Sequence, residues 1–117
     1  MGYSMDQILE LSKKIHDILD SKKAHDLIVL SVKGISTIAD YFIIATGTSS
    51  THINALADHI EKELSKDSIF MKHREGQPQG GWLLLDYRDV IVHIFSEETR
   101  QYYAIERIWS DAKRLEM

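Results

Sequence analysis

The stretch that decides the fold is WLLLDYRDVIVHIF, residues 82–95. Two runs rich in branched and aromatic residues flank the polar segment Tyr87-Arg88-Asp89, and this arrangement predicts a β-hairpin. Because the connection is so short, the two strands must be antiparallel. The sheet of this protein therefore contains at least one antiparallel pair.

The first strand of this hairpin has two different faces. Side chains alternate along a strand, so Trp82, Leu84 and Asp86 share one face while Leu83 and Leu85 share the other. Aromatic residues close to charged ones are frequent anchors of protein interfaces. The pattern is equally consistent with Trp82 as an exposed anchor and with Trp82 packed beneath the last helix.

The N-terminal part of the chain predicts one helix and two strands. Ser4 and Gln7 have the spacing of a capping box, and apolar residues then recur at helical spacing, which predicts a helix over residues 5–21. Residues 27–32 and 41–46 are short runs of branched apolar residues, each followed by a glycine. Such runs are typical of buried strands.

The rest of the chain continues the alternation. Caps at residues 48–50 predict a second helix that ends near Lys66, and residues 69–74 predict a strand. The polar, glycine-rich residues 75–81 predict a mobile loop. After Ser96 a last helix is expected, with four apolar positions: Tyr102, Ile105, Ile108 and Trp109. The fold class is therefore α/β, with a mixed sheet of about five strands packed with helices.

Composition limits the function. The chain has 117 residues, 44% of them hydrophobic, which suits one domain over residues 1–117. Without cysteine, disulfides, thiol nucleophiles and cysteine-ligated zinc are excluded. A net charge of −4 disfavours a general nucleic-acid clamp. No signal peptide or membrane-spanning run is visible, so we expect a cytoplasmic protein without a membrane partner.

Two segments carry the residue types of a chemical site. Gly47, Thr48, Ser49 and Ser50 stand where a strand enters a helix, a position that can bind an anion, yet a plain capped turn explains the same residues better. Likewise Asp86 and Asp89, with His93 nearby, can be combined into a metal site, but aspartates are also common in turns. We therefore predict no catalytic residue, no cofactor and no metal.

The chain resembles a known family. Residues 40–50 (DYFIIATGTSS), 82–87 (WLLLDY) and 90–95 (VIVHIF) together resemble the ribosomal silencing factor, or iojap, family. Residues 102–109 (YYAIERIW) resemble its C-terminal signature. The likeness extends from the first helix to about Ala112.

This resemblance implies a bacterial or organellar factor that is not an enzyme. Such a factor binds the large ribosomal subunit through ribosomal protein number fourteen, sterically blocks joining of the small subunit, and represses translation when nutrients are short. The family's fold is similar to that of nucleotidyltransferases, without their paired acidic metal ligands. The resemblance also implies a possible homodimer when free, and no direct sequence-specific contact with nucleic acid.

Positions that match the family supply the expected partner-binding residues. These are Trp82, Leu84, Asp86, Tyr87 and Asp89, and His93 and Arg100 are further positions of this kind. Arg88 stands where a glycine is expected, which leaves the turn type open. The alternative function is a nucleotide-binding or nucleotidyltransferase-like enzyme that uses the turn from Gly47 to Ser50, with Asp86 and Asp89 for magnesium.

Overall fold

Helices and strands alternate along the chain in the computed structural model, which describes residues 4–103, 110 and 112–117. In chain order the elements of these ranges are α1 (Met5–Ser21), β1 (His25–Ser31), β2 (Tyr41–Gly47), α2 (Ser50–Ser65), β3 (His73–Gln77), the 3₁₀ turn Pro78–Gly80, β4 (Trp82–Asp86), β5 (Val90–Ser96), α3 (Glu97–Tyr103) and β6 (Lys113–Leu115). The mixed α/β class expected from the sequence is confirmed.

The strands form one sheet in the order β3-β4-β5-β2-β1-β6. Only β2 and β5 run parallel among these neighbours, and every other pair is antiparallel, including the predicted hairpin of β4 and β5. The sheet thus has six strands instead of about five. The additional strand, β6, pairs with β1 over three residues, which is too short to give a periodic signal.

Helices α1 and α2 cover one face of the sheet. The predicted capping box is confirmed: Ser4 Oγ accepts the Gln7 N–H at 3.2 Å, and Gln7 Oε1 accepts the Ser4 N–H at 2.8 Å. The apolar faces of both helices belong to the larger core cluster, which also contains Leu83 and Leu85 of β4. Burial of this apolar stripe fixes the helices against the sheet.

The opposite face of the sheet carries a smaller apolar cluster. Its buried members are Leu30, Val32, Ala39, Phe42, Ile44, Ile91 and Phe95, with Ile28, Trp82, Leu84 and Ala112 partly buried against them. Arg100 of α3 is also buried there and donates from Nη1 to Thr46 Oγ1 at 2.8 Å. This bond ties α3 to the end of the central strand β2.

The position of β3 corrects the prediction for residues 69–81. The strand is not residues 69–74 but His73–Gln77, and residues 75–77, expected in a mobile loop, pair with β4 instead. The next residues form the turn Pro78–Gly80. The polar composition of residues 75–77 led to the wrong prediction of a loop. An edge strand is largely exposed, so its position is decided by backbone pairing and not by apolar side chains.

Gly76 lets β3 approach β4 closely. Its φ is +95°, and a Cβ at this position would lie 2.2 Å from the carbonyl oxygen of Trp82. Arg74 also holds the strand, since its guanidinium donates to Asp58 Oδ1 at 3.1 Å and to Asn54 Oδ1 at 2.8 Å on α2. The outermost strand is therefore anchored to both the sheet and the helical layer.

The last predicted helix is only partly tested. Helix α3 begins at Glu97 as expected, but Tyr102, predicted as an apolar position, is 83% exposed. A tyrosine hydroxyl makes such exposure inexpensive. The other predicted apolar positions, Ile105, Ile108 and Trp109, lie outside the described residues.

The hairpin turn gives a stability prediction. Arg88 has φ +72°, a conformation that a Cβ disfavours by about 1–2 kcal/mol. We expect Arg88→Gly to stabilise the fold by about 0.5–1 kcal/mol, since relief of this strain exceeds the added entropy of the unfolded chain. Urea denaturation measures this change in the free energy of unfolding. Arg88→Ala, which keeps the Cβ, is the control and should show no such gain; equal stability of both variants contradicts the strain argument.

Candidate functional site

Strand β4 separates its side chains as the alternation predicts. Leu83 and Leu85 are completely buried beneath the helices, whereas Trp82, Leu84 and Asp86 are partly buried on the other face. We call these last three residues the Trp82 face. The structure thus brings together three of the five predicted partner-binding residues.

Trp82 combines the two roles that its pattern left open. Its indole Nε1–H donates to His93 Nδ1 at 3.2 Å, and its ring stacks on Phe95 with centroids 5.2 Å apart. The side chain nevertheless keeps an exposed part. Trp82 is therefore a half-buried side chain that packs on the smaller cluster from one side and faces outward on the other.

A groove of about 440 Å³ lies beside this tryptophan. In the part of the chain that the structure describes, its lining residues are Glu75, Gly76, Gln77, Gly80, Trp82 and Leu84. Strand β3 forms its wall and is the outermost strand of the sheet. An apolar groove next to a sheet edge is a common site for an extended segment of a partner protein.

Two aspartates, Asp86 and Asp89, lie at the hairpin end of β4. Asp86 Oδ1 accepts the backbone N–H of Arg88 at 2.7 Å, and its Oδ2 lies 3.6 Å from His73 Nδ1. The backbone carbonyl of Asp89 accepts the N–H groups of Asp40 and Tyr41. The bond from Arg88 to Asp86 is that of a turn-forming aspartate, whereas the bonds to Asp89 involve only its backbone. Within the described ranges, no group of three acidic, histidine or cysteine residues is arranged to hold a metal ion.

Tyr87 does not lie on the Trp82 face. Its side chain is only 3% exposed and belongs to the larger core cluster, under the helices. Burial, with a smaller effect of Glu61, raises the pKa of the Tyr87 hydroxyl to about 12. Because Tyr87 follows Asp86 directly, the end of β4 is fixed to the helical layer by this ring.

The turn after β2 is occupied by its own side chains. Ser49 caps α2 by accepting the N–H of His52 at 3.0 Å, and the Thr48 N–H donates to His52 Nδ1 at 2.9 Å. The other ring nitrogen, Nε2, lies 2.9 Å from the carbonyl oxygen of Lys22 and donates to it. Two backbone donors of this turn, those of Thr48 and His52, are therefore already used within the protein.

The glycine of this turn has a packing role. A Cβ at Gly47 would lie 2.7 Å from Cγ1 of Ile53, the first buried residue of α2. Gly47 thus allows the helix to pack closely on the end of β2. The nucleotide-binding interpretation of this turn finds no support in its geometry.

His93 is a functional candidate that the sequence indicated only weakly. It is 6% exposed, and burial lowers the pKa of its imidazole to about 4. The ring therefore stays neutral at physiological pH, so Nδ1 remains free to accept the indole proton. Its signal in the residue pattern is a histidine inside the apolar run VIVHIF, and the family resemblance also included this position.

The fold and this site define a mixed α/β protein whose helix-entry turn is closed and whose sheet carries an outward-facing apolar groove. Comparison with known proteins is specific. The family model described as "Ribosomal silencing factor during starvation" matches residues 5–117. The chain therefore belongs to the ribosomal silencing factor family, which has a regulatory and not an enzymatic role in connection with the ribosome.

Relatives match over most of their length. A ribosomal silencing factor of Halalkalibacterium halodurans is 39% identical over 92% of each chain, and that of Bacillus subtilis is 40% identical over 80% of this chain and 79% of its own. A crystal structure of a protein from Chromobacterium violaceum superimposes with a TM-score of 0.84 at 33% identity, covering 88% of this chain and 86% of that one.

Organellar proteins are also similar. The mouse protein named "Mitochondrial assembly of ribosomal large subunit protein 1" is 29% identical over 80% of this chain and 42% of its own length. A chloroplast iojap protein of Arabidopsis thaliana is 31% identical over 93% of this chain and 44% of its own.

No helix in the described ranges is long and apolar enough to cross a membrane.

The closed turn predicts that nucleotides do not bind. A ligand at 100 times its dissociation constant adds about 2.7 kcal/mol to the free energy of unfolding, which raises the melting temperature by several degrees. We expect millimolar ATP with Mg²⁺ to leave the melting temperature of this protein unchanged in a thermal shift assay. A rise of several degrees that disappears in Ser49→Ala would restore the nucleotide-binding alternative.

The buried imidazole predicts a pH effect on stability. Between its ordinary pKa of 6.5 and the folded value of about 4, the unfolded chain binds a proton at His93 that the folded chain does not. The free energy of unfolding therefore falls as the pH decreases through this window, by about 3 kcal/mol in total, and this group has no effect above it.

The measurement compares the parent with His93→Phe by urea denaturation at several pH values from 7 to 4. Other titrating groups are common to both proteins and cancel in the difference. As the pH falls below 6.5, the free energy of unfolding of His93→Phe should increase relative to that of the parent. Parallel stability profiles would mean that His93 titrates normally in the folded protein.

Proposed function

We propose that this protein binds the large ribosomal subunit through ribosomal protein number fourteen and sterically blocks joining of the small subunit, and so represses translation under nutrient limitation. Family membership supplies the biological context. The observation that carries the proposal is the groove beside Trp82, which combines an apolar floor with a sheet edge and an acidic margin.

The apolar part of this surface fits a protein partner. Trp82 and Leu84 are held by the cluster behind them and still reach the groove. Side chains that are ordered before binding lose little conformational entropy in the complex, which is why such anchors contribute strongly to affinity. Tyr87 supports this surface from the helical side, while Asp89 lies in the hairpin turn that follows β4.

Charge fits a ribosomal protein better than it fits RNA. Ribosomal proteins are mostly basic, and Glu75 and Asp86 place carboxylates next to the groove on a chain of net charge −4. Opposite charges speed association and orient the partners, while RNA phosphates are repelled. The site of action that we propose for this protein is the cytoplasm.

The size of the protein explains how its binding blocks the joining of the small subunit. The molecule measures 35 × 34 × 24 Å along its principal axes. A rigid body of these dimensions, bound at the surface where the subunits meet, fills space that the small subunit must occupy. No chemical step is required, so binding alone is sufficient for repression.

The binding surface is tested first with Trp82→Ala. Loss of a central aromatic anchor should weaken binding to large subunits by about 2 kcal/mol or more, which is about thirtyfold. Because Trp82 also stacks on Phe95, the variant should melt at a lower temperature than the parent. Co-sedimentation with large subunits, below the melting temperature of the variant, measures the affinity.

The matched control is Leu85→Ala, which removes a completely buried side chain on the other face of the same strand. It should cost about 2–5 kcal/mol of stability but leave the affinity of the folded protein unchanged. Binding of Trp82→Ala equal to that of the parent would show that this face is not the interface.

The charge argument is tested with Glu75→Lys. Glu75 is exposed at the groove, so reversal should leave stability nearly unchanged while it slows association and weakens binding several-fold at low salt. Salt should reduce the difference by screening. Glu10→Lys makes the same change on α1, away from the groove, and should bind like the parent in the same gradient assay.

A further inference from the structure

His93 is the one polar residue within a run of buried apolar side chains on β5. Its neighbours in sequence, Val92 and Ile94, are completely buried. An apolar residue would satisfy the packing needs of this position, so burial by itself does not explain the imidazole.

Two aromatic neighbours fix the orientation of the imidazole. Phe95 lies nearly parallel to it, with an interplanar angle of 9° and centroids 5.9 Å apart. Phe42 meets it edge-on, with centroids 5.1 Å apart. The ring therefore presents Nδ1 in a defined direction, toward Trp82 Nε1 at 3.2 Å.

The same geometry assigns the tautomer. An indole nitrogen is a donor only, so Nδ1 must accept and the proton of the neutral ring must be on Nε2. Nε2 is buried and has no hydrogen-bond partner among the described residues. A buried N–H without a partner lowers stability, so the fold itself gains little from a histidine here.

The histidine does, however, select one of two possible orientations of the indole. Stacking on Phe95 fixes the plane of the Trp82 ring. The stacking energy is nearly the same when the ring is flipped over and keeps this plane, since both faces of an indole stack equally well. The Nε1–H direction, in contrast, reverses. Only one of the two orientations satisfies the bond to His93.

We propose that His93 is a positioning residue for Trp82: its Nδ1 selects the indole orientation in which the exposed part of the ring faces the groove and its partner. This inference rests on the proposed function, because it assigns a role to His93 within the same binding surface. It predicts that stability and affinity respond in opposite ways to removal of the imidazole.

The experiment compares His93→Phe with His93→Asn at neutral pH. His93→Phe keeps a ring in the cluster and removes both the acceptor and the unpaired N–H, so it should melt at or above the temperature of the parent. Its affinity for large subunits should fall about tenfold, as expected for a lost orienting hydrogen bond. His93→Asn places an amide oxygen near the position of Nδ1 and should recover most of this affinity.

The orientation of Trp82 is measured separately from binding. In the free protein, the indole N–H resonance that disappears in Trp82→Phe belongs to Trp82. In His93→Phe this resonance should shift toward that of a non-bonded indole and exchange faster with water, and His93→Asn should restore it.

A double-mutant comparison completes the test. Trp82→Phe lacks the indole N–H, so adding His93→Phe to it should cause no further loss of affinity if His93 acts through that group. Full additivity would overturn the proposal, as would parent-like binding by His93→Phe or a large fall in its melting temperature that His93→Asn does not reverse.

Failure of the two proposals can be distinguished. If Trp82→Ala binds like the parent, the surface itself is wrong and the positioning role is overturned with it. If Trp82→Ala loses binding and His93→Phe does not, the surface stands and only the positioning role is wrong.

Discussion

The structure depends on the parallel pairing of β2 with β5 at the centre of the sheet. Seven consecutive residue pairs join these strands, and every residue of β2 is buried. A parallel pair requires a crossover, which here contains α2 and the strands β3 and β4. Burial on both faces also explains why the two strands are nearly continuous apolar runs rather than alternating ones.

The binding surface follows from this central pair. Strand β4 joins the outer side of β5 through a tight hairpin, and the register of the hairpin decides which of its side chains turn toward the helices. Leu83 and Leu85 enter the larger cluster, so Trp82, Leu84 and Asp86 must face the other way. A shift by one residue would bury Asp86 and expose two leucines.

The polar groups inside the second face give it definite geometry. Arg100 binds Thr46 at the end of β2, and His93 accepts the indole proton of Trp82. Apolar packing alone tolerates several arrangements of similar energy, whereas hydrogen bonds select among them by direction. In the same way, the turn at Gly47 is closed by Ser49 and His52, which makes it a structural helix cap rather than a ligand site.

The sequence by itself determined the elements that have strong local signals. The capping box at Ser4, the hairpin around Arg88 and the alternation along β4 were all predicted correctly, because each depends on neighbours a few residues apart. The family resemblance also covered nearly the whole chain, and the family assignment is confirmed. Only the tertiary structure decided where β3 and β6 lie. Strand β3 is a polar edge strand without an apolar pattern, and the three-residue strand β6 is defined by pairing with β1, near the other end of the chain. It also decided that Tyr87 enters the core while Trp82 remains half exposed, and that His93 bonds the indole. These outcomes depend on which face each element covers, and no local pattern contains that information.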